Sequence, residues 1–417
     1  MEKVCFITLG CKVNKYESDC MANILKSHGY AISHELEKAD IYIVNSCAVT
    51  NEGERKSRQY IAKIRAINPN AKIIYTGCAS EHNIELLKEK GIWGAIGNVN
   101  KENILEIVQN GGFIIYSHDN IYEKLNSPLT SQTRAYLKVQ DGCNRFCSYC
   151  LIPYLRGRSR SRDLKDIINE AKELSKKAKE IVLVGIDISD YRIGDKQALG
   201  ELIWAMRDIN ARFRLGSFEA NIISRELLEL LRQNKNFVPH FHLSLQSGDD
   251  SVLKAMNRKY TAAEFLEKCE LIREYFPDAN ITTDIIVGFP TETEEMFENT
   301  CEFVRRARFG KIHVFPYSKR NGTLASRLQD LPRSVKTERV NKLVKLGNEL
   351  QLEFNRENLN KIYNVILEEE VGDFFEGFTD NYIKVFIKKS EKIKCGDFIK
   401  VKLTKLKEMG MEGEIVC

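Results

Sequence analysis

Twice along this chain, short apolar runs of strand length alternate with helix-spaced segments, and that alternation leaves few folds open. In residues 3–116 the run from Val4 to Leu9 ends in Gly10, and Asn14 to His28 then carries helical spacing through Met21, Ile24 and Leu25. Ile41 to Val44 and Lys72 to Thr76 are the next strands, each with a helical stretch behind it, from about Gly53 to Ile67 and across Ile84 to Leu87. Alternation of this kind predicts a parallel, doubly wound α/β sheet. A polar stretch with Asn126, Ser127, Pro128 and Thr130 reads as a linker, and the pattern restarts beyond it. Candidate strands follow at Ala135–Val139, Glu180–Val184, Phe213–Phe218, Phe241–Leu245, Ile281–Val287 and Ile312–Phe315, with helical patterns such as Asp163–Lys176, Ala198–Asp208 and Glu264–Tyr275 between them. Six such units predict a complete or partial (β/α) barrel, closed by a long helix over Val335 to Asn358. The tail from residue 361 changes to short alternating runs, Tyr363–Leu367, Ile383–Ile387, Phe398–Leu403 and Glu414–Val416, with turns at Gly372, Gly377, Gly396 and Gly410. That pattern predicts a small antiparallel barrel. The expected organisation is an α/β multidomain chain divided at 1–125, 133–358 and 359–417.

With 417 residues, 43% of them hydrophobic and 29% charged, each unit is long enough to bury its own core, and disordered or low-complexity readings are excluded. A net charge of +5 permits an anionic partner without requiring one. Apolar runs such as Ile181 to Gly185 fall far short of the ~20 residues of a membrane span. The start, MEKVCFITLG, reads as a first strand and not as a signal peptide. A cytoplasmic protein with no membrane contact is expected.

Twelve cysteines in such a chain point to metal or catalytic chemistry where they cluster, and to small apolar packing where they do not. Cys143, Cys147 and Cys150 form a Cys-x3-Cys-x2-Cys loop after the first barrel strand, at the mouth where such barrels place their chemistry. Three thiolates in one loop can hold an iron–sulfur cluster and leave one iron of a [4Fe–4S] cluster without a protein ligand. A small chelating substrate, S-adenosylmethionine (SAM), can fill that position with its amino and carboxylate groups. A zinc site would want a fourth Cys or His nearby, and none follows. This spacing, with Tyr149 just before the last Cys, resembles the signature of the radical SAM superfamily. Cys11, Cys47 and Cys78 each follow a predicted strand and precede a predicted helix. Strand ends of a parallel sheet share one edge, so the three can converge on a second cluster. Gly10 and Gly77 would allow the tight turns, and the neighbouring helix N-termini would favour thiolate. Cys5, Cys20, Cys269, Cys301, Cys395 and Cys417 carry no assigned role.

Over its whole length the chain resembles the radical SAM methylthiotransferases: a domain with three dispersed cysteines, a radical SAM barrel and a TRAM-type RNA-binding barrel. The segments TLGCKVNKYES, VNSCAVTNEGERKSRQ, QDGCNRFCSYCLIPYLRGRSRSR and FHLSLQSG fit best the subgroup acting on N6-threonylcarbamoyladenosine at position 37 of tRNA. Asp187 stands where a His is expected and Ala220 where a Pro is expected. The resemblance implies that Cys143, Cys147 and Cys150 bind the cluster that cleaves SAM to a 5′-deoxyadenosyl radical. It implies an auxiliary cluster on Cys11, Cys47 and Cys78, and so two [4Fe–4S] clusters in all. A second SAM would supply the methyl group. SAM contacts are expected at Gly185, Asp187, Tyr191, Ser217, Glu219, Ser244, Gln246 and Arg258, with Asp284 a weaker candidate. A buried Glu219 needs a partner, which a ribose diol or an ammonium group would supply. The implied partners are a tRNA anticodon stem-loop, an electron donor and a sulfur source.

Basic residues concentrate in three stretches: five Arg and no acid in 142–162, five bases against Glu54 in 54–65, and nine Lys against two acids in 384–407. Localised positive charge fits RNA phosphates, and Arg55, Arg58, Arg156, Arg158 and Arg160 are the expected contacts. Phe374, Phe375 and Phe378 could stack on bases, although core packing is the better reading. Other readings remain open: isopentenyladenosine in tRNA or a ribosomal protein as substrate, or a non-catalytic RNA-binding protein with structural metal sites. The last requires closed four-ligand sites, which two cysteine triplets do not supply.

Overall fold

A computed structural model of the chain describes residues 1–82, 84–115, 122–125, 128 and 133–416. Of the expected linker, Asn126, Ser127 and Thr130 lie outside the described residues, as does Cys417. The N-terminal unit is a six-stranded sheet, parallel throughout, of β1 (Lys3–Thr8), β2 (Ala31–Ser33), β3 (Ile41–Ser46), β4 (Lys72–Gly77), β5 (Gly94–Ile96) and β6 (Gly112–Ile114). Its order is β2-β1-β3-β4-β5-β6. Alternate side chains serve opposite faces. Ile41 and Ile43 pack with Met21, Ile24 and Leu25 of helix α1 (Lys12–Ser27), while Tyr42 and Val44 pack with Ile61 and Ile64 of helix α2 (Asn51–Ile67). The sheet is therefore doubly wound, as expected. The three-residue strands β2, β5 and β6 were not anticipated, because runs that short carry no readable period.

The central unit has six barrel strands: β7 (Arg134–Lys138), β8 (Glu180–Val184), β9 (Arg212–Leu215), β10 (His240–Gln246), β11 (Asn280–Val287) and β12 (Lys311–Pro316). They form two parallel three-stranded sheets, β9-β8-β7 and β10-β11-β12, joined by a parallel bridge between Phe218 and Leu243. Strands β7 and β12 do not pair, so this is a partial barrel with an open seam. Helix 333–357 packs against β12.

The tail closes into a barrel of β13 (Ile362–Val371), β14 (Phe374–Thr379), β15 (Lys384–Lys388), β16 (Phe398–Lys407) and β17 (Gly410–Ile415). Two expectations are corrected here. Gly377 is not in a turn but inside β14, where a Cβ would lie 2.2 Å from the Ile366 carbonyl oxygen. Its absence lets two strands approach closely, and β14 supplies a fifth strand. The barrel is also not wholly antiparallel, since β15 and β17 run parallel.

Glu180 is fully buried and ties the tail barrel to the central one. Its carboxylate accepts from Arg134 Nε at 2.5 Å, Arg212 Nε at 2.7 Å and Arg214 Nε at 3.4 Å. Arg134 in turn reaches Glu368, and Arg212 lies 3.3 Å from Asp380, both on the tail barrel. Burial alone would raise the Glu180 pKa, but the guanidiniums of Arg212, Arg134 and Arg214 outweigh it and hold the group at about 2. Glu180→Gln leaves buried guanidiniums underpaired and is expected to cost about 3–5 kcal/mol in urea unfolding. Because the folded pKa lies below the unfolded value of about 4.3, this contribution is complete above about pH 5 and is lost as pH falls toward 2. The gap between wild type and Glu180→Gln should narrow over that window.

Candidate functional site

The order β2-β1-β3 reverses the direction of winding between β1 and β3, and such a switch point opens a crevice at the carboxyl ends of the strands. Cys11 follows β1, Cys47 follows β3 directly, and Cys78 follows the neighbouring β4. In register, Thr8 pairs with Asn45 and Ser46 with Gly77, so the three strand ends lie side by side. Gly10, at φ +93°, lets the first loop approach the second: a Cβ there would lie 2.9 Å from Cys47 Cβ and 3.0 Å from its Sγ. At Gly77, φ +84°, a Cβ would meet Asn45 Oδ1 at 2.4 Å. Asn14 Nδ2 holds the crevice by donating to the carbonyls of Leu9 at 2.8 Å and Ser46 at 2.9 Å. The expected helix-terminus effect does not prevail. Burial pushes the Cys78 thiol up to about 11 and raises Cys47 as well, with Arg156 offsetting only part of it. Converging thiols of this kind need a cationic centre to ionise.

Gly142 opens the second cysteine loop at φ +70°, where a Cβ would lie 2.0 Å from the Arg158 carbonyl oxygen. Phe146 takes φ +49° between Cys143 and Cys147, and Asn257 Nδ2 donates to its carbonyl at 2.9 Å. Each sulfur accepts one hydrogen bond: Cys143 from the Arg145 amide at 3.4 Å, Cys147 from Arg258 at 3.3 Å and Cys150 from the Ile152 amide at 3.4 Å. Burial raises Cys143 strongly and Cys150 to about 12. The sulfurs of neither triplet are spaced for a single ion. Among the described residues, only His242, Asp284 and His313 place three such ligand atoms within 4.8 Å of one another. Thiolates around one tetrahedral zinc stand ~3.8 Å apart, so neither triplet has that geometry. Each triplet is a donor set of three thiols, the number that holds a [4Fe–4S] cluster with one iron left open.

Between the two triplets lies Arg156, fully buried. Its guanidinium meets Cys78 Sγ at 3.3 Å, Glu17 Oε1 at 2.9 Å, Asp141 Oδ1 at 3.1 Å and Asn14 Oδ1 at 2.8 Å. Glu17 also pairs with Lys138 at 2.8 Å and Lys101 at 3.3 Å, and Asp141 with Lys138 at 2.7 Å and Arg160 at 3.6 Å. Four buried cations face two carboxylates, and the surplus is of the sign that thiolate-bound clusters offset. This corrects two expectations. Arg156 and Arg160 do not face RNA; Arg160 is spent on the carbonyls of Arg156 and Arg158 at 2.8 and 2.9 Å. Arg158 is exposed and stacks over Phe146 with 4.5 Å to the ring centroid. Arg55 is exposed beside Glu52, while Arg58 is half-buried against Glu54. Seven of the nine tail lysines, including Lys388, Lys400 and Lys405, are exposed. Phe375 is core, and Phe378 stacks on Tyr382 at 4.6 Å.

The expected SAM contacts divide. Asp187 lies by the second triplet, with Oδ2 bonded to Arg145 Nε at 2.7 Å and Oδ1 buried without a partner among the described residues. That orphaned oxygen fits the ammonium of SAM. Gly185 and Ser217 line a cavity described below. Gln246 sits at the end of β10 with φ +75°. Glu219 already has its partner, Arg258, at 2.5 and 2.6 Å, and Arg258 also donates to the Ser244 carbonyl at 2.8 Å. Its burial therefore asks for no ligand, and Arg258 joins the cluster loop to Glu219. Tyr191 is corrected: it is fully buried in the core, its hydroxyl donating to the Arg162 carbonyl at 3.0 Å.

A cavity of about 830 Å³ fills the barrel lumen beneath the seam. Cys11 and Lys12 wall it from the N-terminal unit, Gly185, Ser217, His242 and His313 from the barrel, and Tyr382 and Lys384 from the tail. Auxiliary-site cysteine, expected SAM residues and tail barrel thus border one space. Lys12 is exposed at the cavity mouth, and desolvation by the walls with the nearby Arg214 and Arg134 lowers its pKa. Lys12, Arg214, His242 and His313 were not singled out from sequence. The alternation His242, Ser244, Gln246 on one face of β10 was the available signal.

Two family models match the chain: Radical SAM superfamily over residues 137–304, and Uncharacterized protein family UPF0004 over residues 3–96. The chain is 38% identical to the threonylcarbamoyladenosine tRNA methylthiotransferase MtaB of Bacillus subtilis, over 100% of this chain and 97% of that one. It is 34% identical to a tRNA-2-methylthio-N(6)-dimethylallyladenosine synthase of a Thermoanaerobacter species, over 98% and 92% of the two chains. Among solved structures, the radical S-adenosylmethionine methyltransferase TsrM of Kitasatospora setae shares the fold. It has a TM-score of 0.56 at 13% identity, covering 76% of this chain and 75% of that one.

The burial of Arg156 separates it sharply from its exposed neighbour. Arg156→Met is expected to cost about 3–5 kcal/mol in denaturant unfolding, because Glu17 and Asp141 lose a buried partner. Arg158→Met should stay within about 0.5 kcal/mol. Equal effects would contradict this division of roles.

Proposed function

The chain belongs to the radical SAM tRNA methylthiotransferases, and we propose that it adds a methylthio group to carbon 2 of N6-threonylcarbamoyladenosine at position 37 of tRNA. The observation that carries this reading is the pair of cysteine triplets on a chain that matches the threonylcarbamoyladenosine enzyme of Bacillus subtilis from end to end. Cys143, Cys147 and Cys150 hold one [4Fe–4S] cluster and Cys11, Cys47 and Cys78 the other. Bound there, the clusters and SAM supply the radical, the sulfur and the methyl group.

The chain's own residues position and shield. Asp187 offers its free oxygen to SAM beside Cys143, and Arg258 donates to Cys147 while locked to Glu219. Arg156 and Glu17 fix the two cysteine sites relative to one another. The lumen cavity receives the target base, which has to leave its stack to reach it. Arg55, Arg58 and Arg158, with the lysines of the tail barrel, meet the phosphates of the anticodon stem-loop. The electron donor and the sulfur source are separate partners. No helix among the described residues is long and apolar enough to cross a membrane, and a tRNA substrate supports a cytoplasmic location.

Mass spectrometry of tRNA nucleosides with and without the gene tests the reaction. Its loss should remove the 2-methylthio form and accumulate threonylcarbamoyladenosine; an unchanged pool would move the substrate to isopentenyladenosine or to protein. In the purified enzyme, Cys143→Ala should abolish SAM cleavage, while Cys47→Ala should keep cleavage and lose thiolation. Iron should fall from about eight to about four per chain in either variant.

A further inference from the structure

We propose that the lumen cavity contains a subsite that reads the threonyl carboxylate of the target nucleoside, formed by His313 with Lys12 and Lys311 around it. This inference rests on the reaction assigned above. The substituent on N6 of the substrate ends in a carboxylate and carries a hydroxyl, whereas an isopentenyl group is hydrocarbon. The two call for opposite linings.

The charged groups of the lining are predominantly positive. Lys311 and His313 alternate along β12 and both face the lumen, opposite Lys12 at the start of α1. None of the three has a hydrogen bond or ion pair among the described residues. Of the two carboxylates lining the cavity, Asp284 and Glu408, Asp284 is engaged: its Oδ2 lies 3.1 Å from His242 Nε2. The other nitrogen of His242 sits 2.8 Å from Thr282 Oγ1, so that ring is held in place and leaves His313 to the ligand. Two lysine ammoniums that lack partners, beside a histidine ring free to donate a hydrogen bond, favour an anionic group over the neutral one.

The site also borders the right neighbours. Cys11 precedes Lys12, so the subsite opens beside the auxiliary cysteines. Gly185 and Ser217 share the same cavity from the SAM side. A base whose carbon 2 faces that region can extend its N6 substituent toward β12. The His242, Asp284 and His313 group could instead be read as a metal site, since its ligand atoms lie within 4.8 Å of one another. Against that, Lys12, Arg214, Lys311 and Lys384 outnumber the lining carboxylates Asp284 and Glu408, a balance that repels a divalent cation.

The test compares two anticodon stem-loop RNAs, one bearing threonylcarbamoyladenosine and one with its carboxylate converted to the methyl ester. Their dissociation constants are measured on the cluster-loaded enzyme without reductant, so that no turnover intervenes. The wild type is expected to favour the acid by roughly tenfold or more. His313→Gln and Lys311→Met should each lose most of that preference while binding the ester as the wild type does. A purely structural role for either residue would weaken both RNAs alike. Equal wild-type affinity for acid and ester overturns the subsite, as does full preference retained in both variants. A metal beyond the cluster iron that Asp284→Asn removes overturns it too. With reductant and SAM added, failure of the wild type to methylthiolate the acid RNA overturns the assigned reaction, and the subsite with it.

Discussion

A guanidinium shut off from water must have its charge answered within hydrogen-bond reach, and Arg156 meets that demand across two units of the chain. Glu17 and Asn14 come from α1 of the N-terminal sheet, Asp141 from the end of the first barrel strand, and Cys78 from the end of β4. Glu17 keeps its charge in this place through its partners. Burial pushes its pKa up, but Arg156, Lys101 and Lys138 together pull it well below the ordinary carboxylate range. Because Arg156 touches Cys78 and follows the other cysteine loop by six residues, docking the two units and placing the two cysteine triplets are coupled.

The seam between β7 and β12 explains why three units are needed to make one site. A closed barrel would fill its lumen with side chains. Here six strands leave a gap, α1 packs along β7, and the tail barrel covers the base of the lumen through Tyr382, which stacks on His240 at 4.6 Å and lies under Arg214 at 4.0 Å. The cavity is therefore built of walls that no single unit owns. That suits a substrate whose reacting base is small but whose bulk, an RNA stem, has to stay outside.

Much of this was legible in the residue order, because the informative features were local. The 143–150 spacing needs only one loop, and strand-end cysteines converge as a matter of sheet topology. What could not be read depended on distant partners. Arg156 stands in a run of arginines that looks like an RNA patch, yet its counter-charge lies 139 residues earlier at Glu17. Glu219 looked in need of a ligand until Arg258, 39 residues later, took both its oxygens. Tyr191 followed the correct strand but turned its hydroxyl to a backbone carbonyl in the core. In the tail, Gly377 carried the signal of a turn because glycine serves turns and close strand contacts alike. The three-residue strands at the sheet's far edge offered too few residues for any period to appear.

The Glu180 cluster bears on how relatives could be recombined. Arg134 lies on β7 and both Arg212 and Arg214 on β9, and the outward partners Glu368 and Asp380 belong to the tail. A chimera that exchanged the tail alone would bring in a foreign surface against two guanidiniums set for these two acids. The tail is thus not a portable module: its transplantable unit includes the floor of the barrel on which it sits.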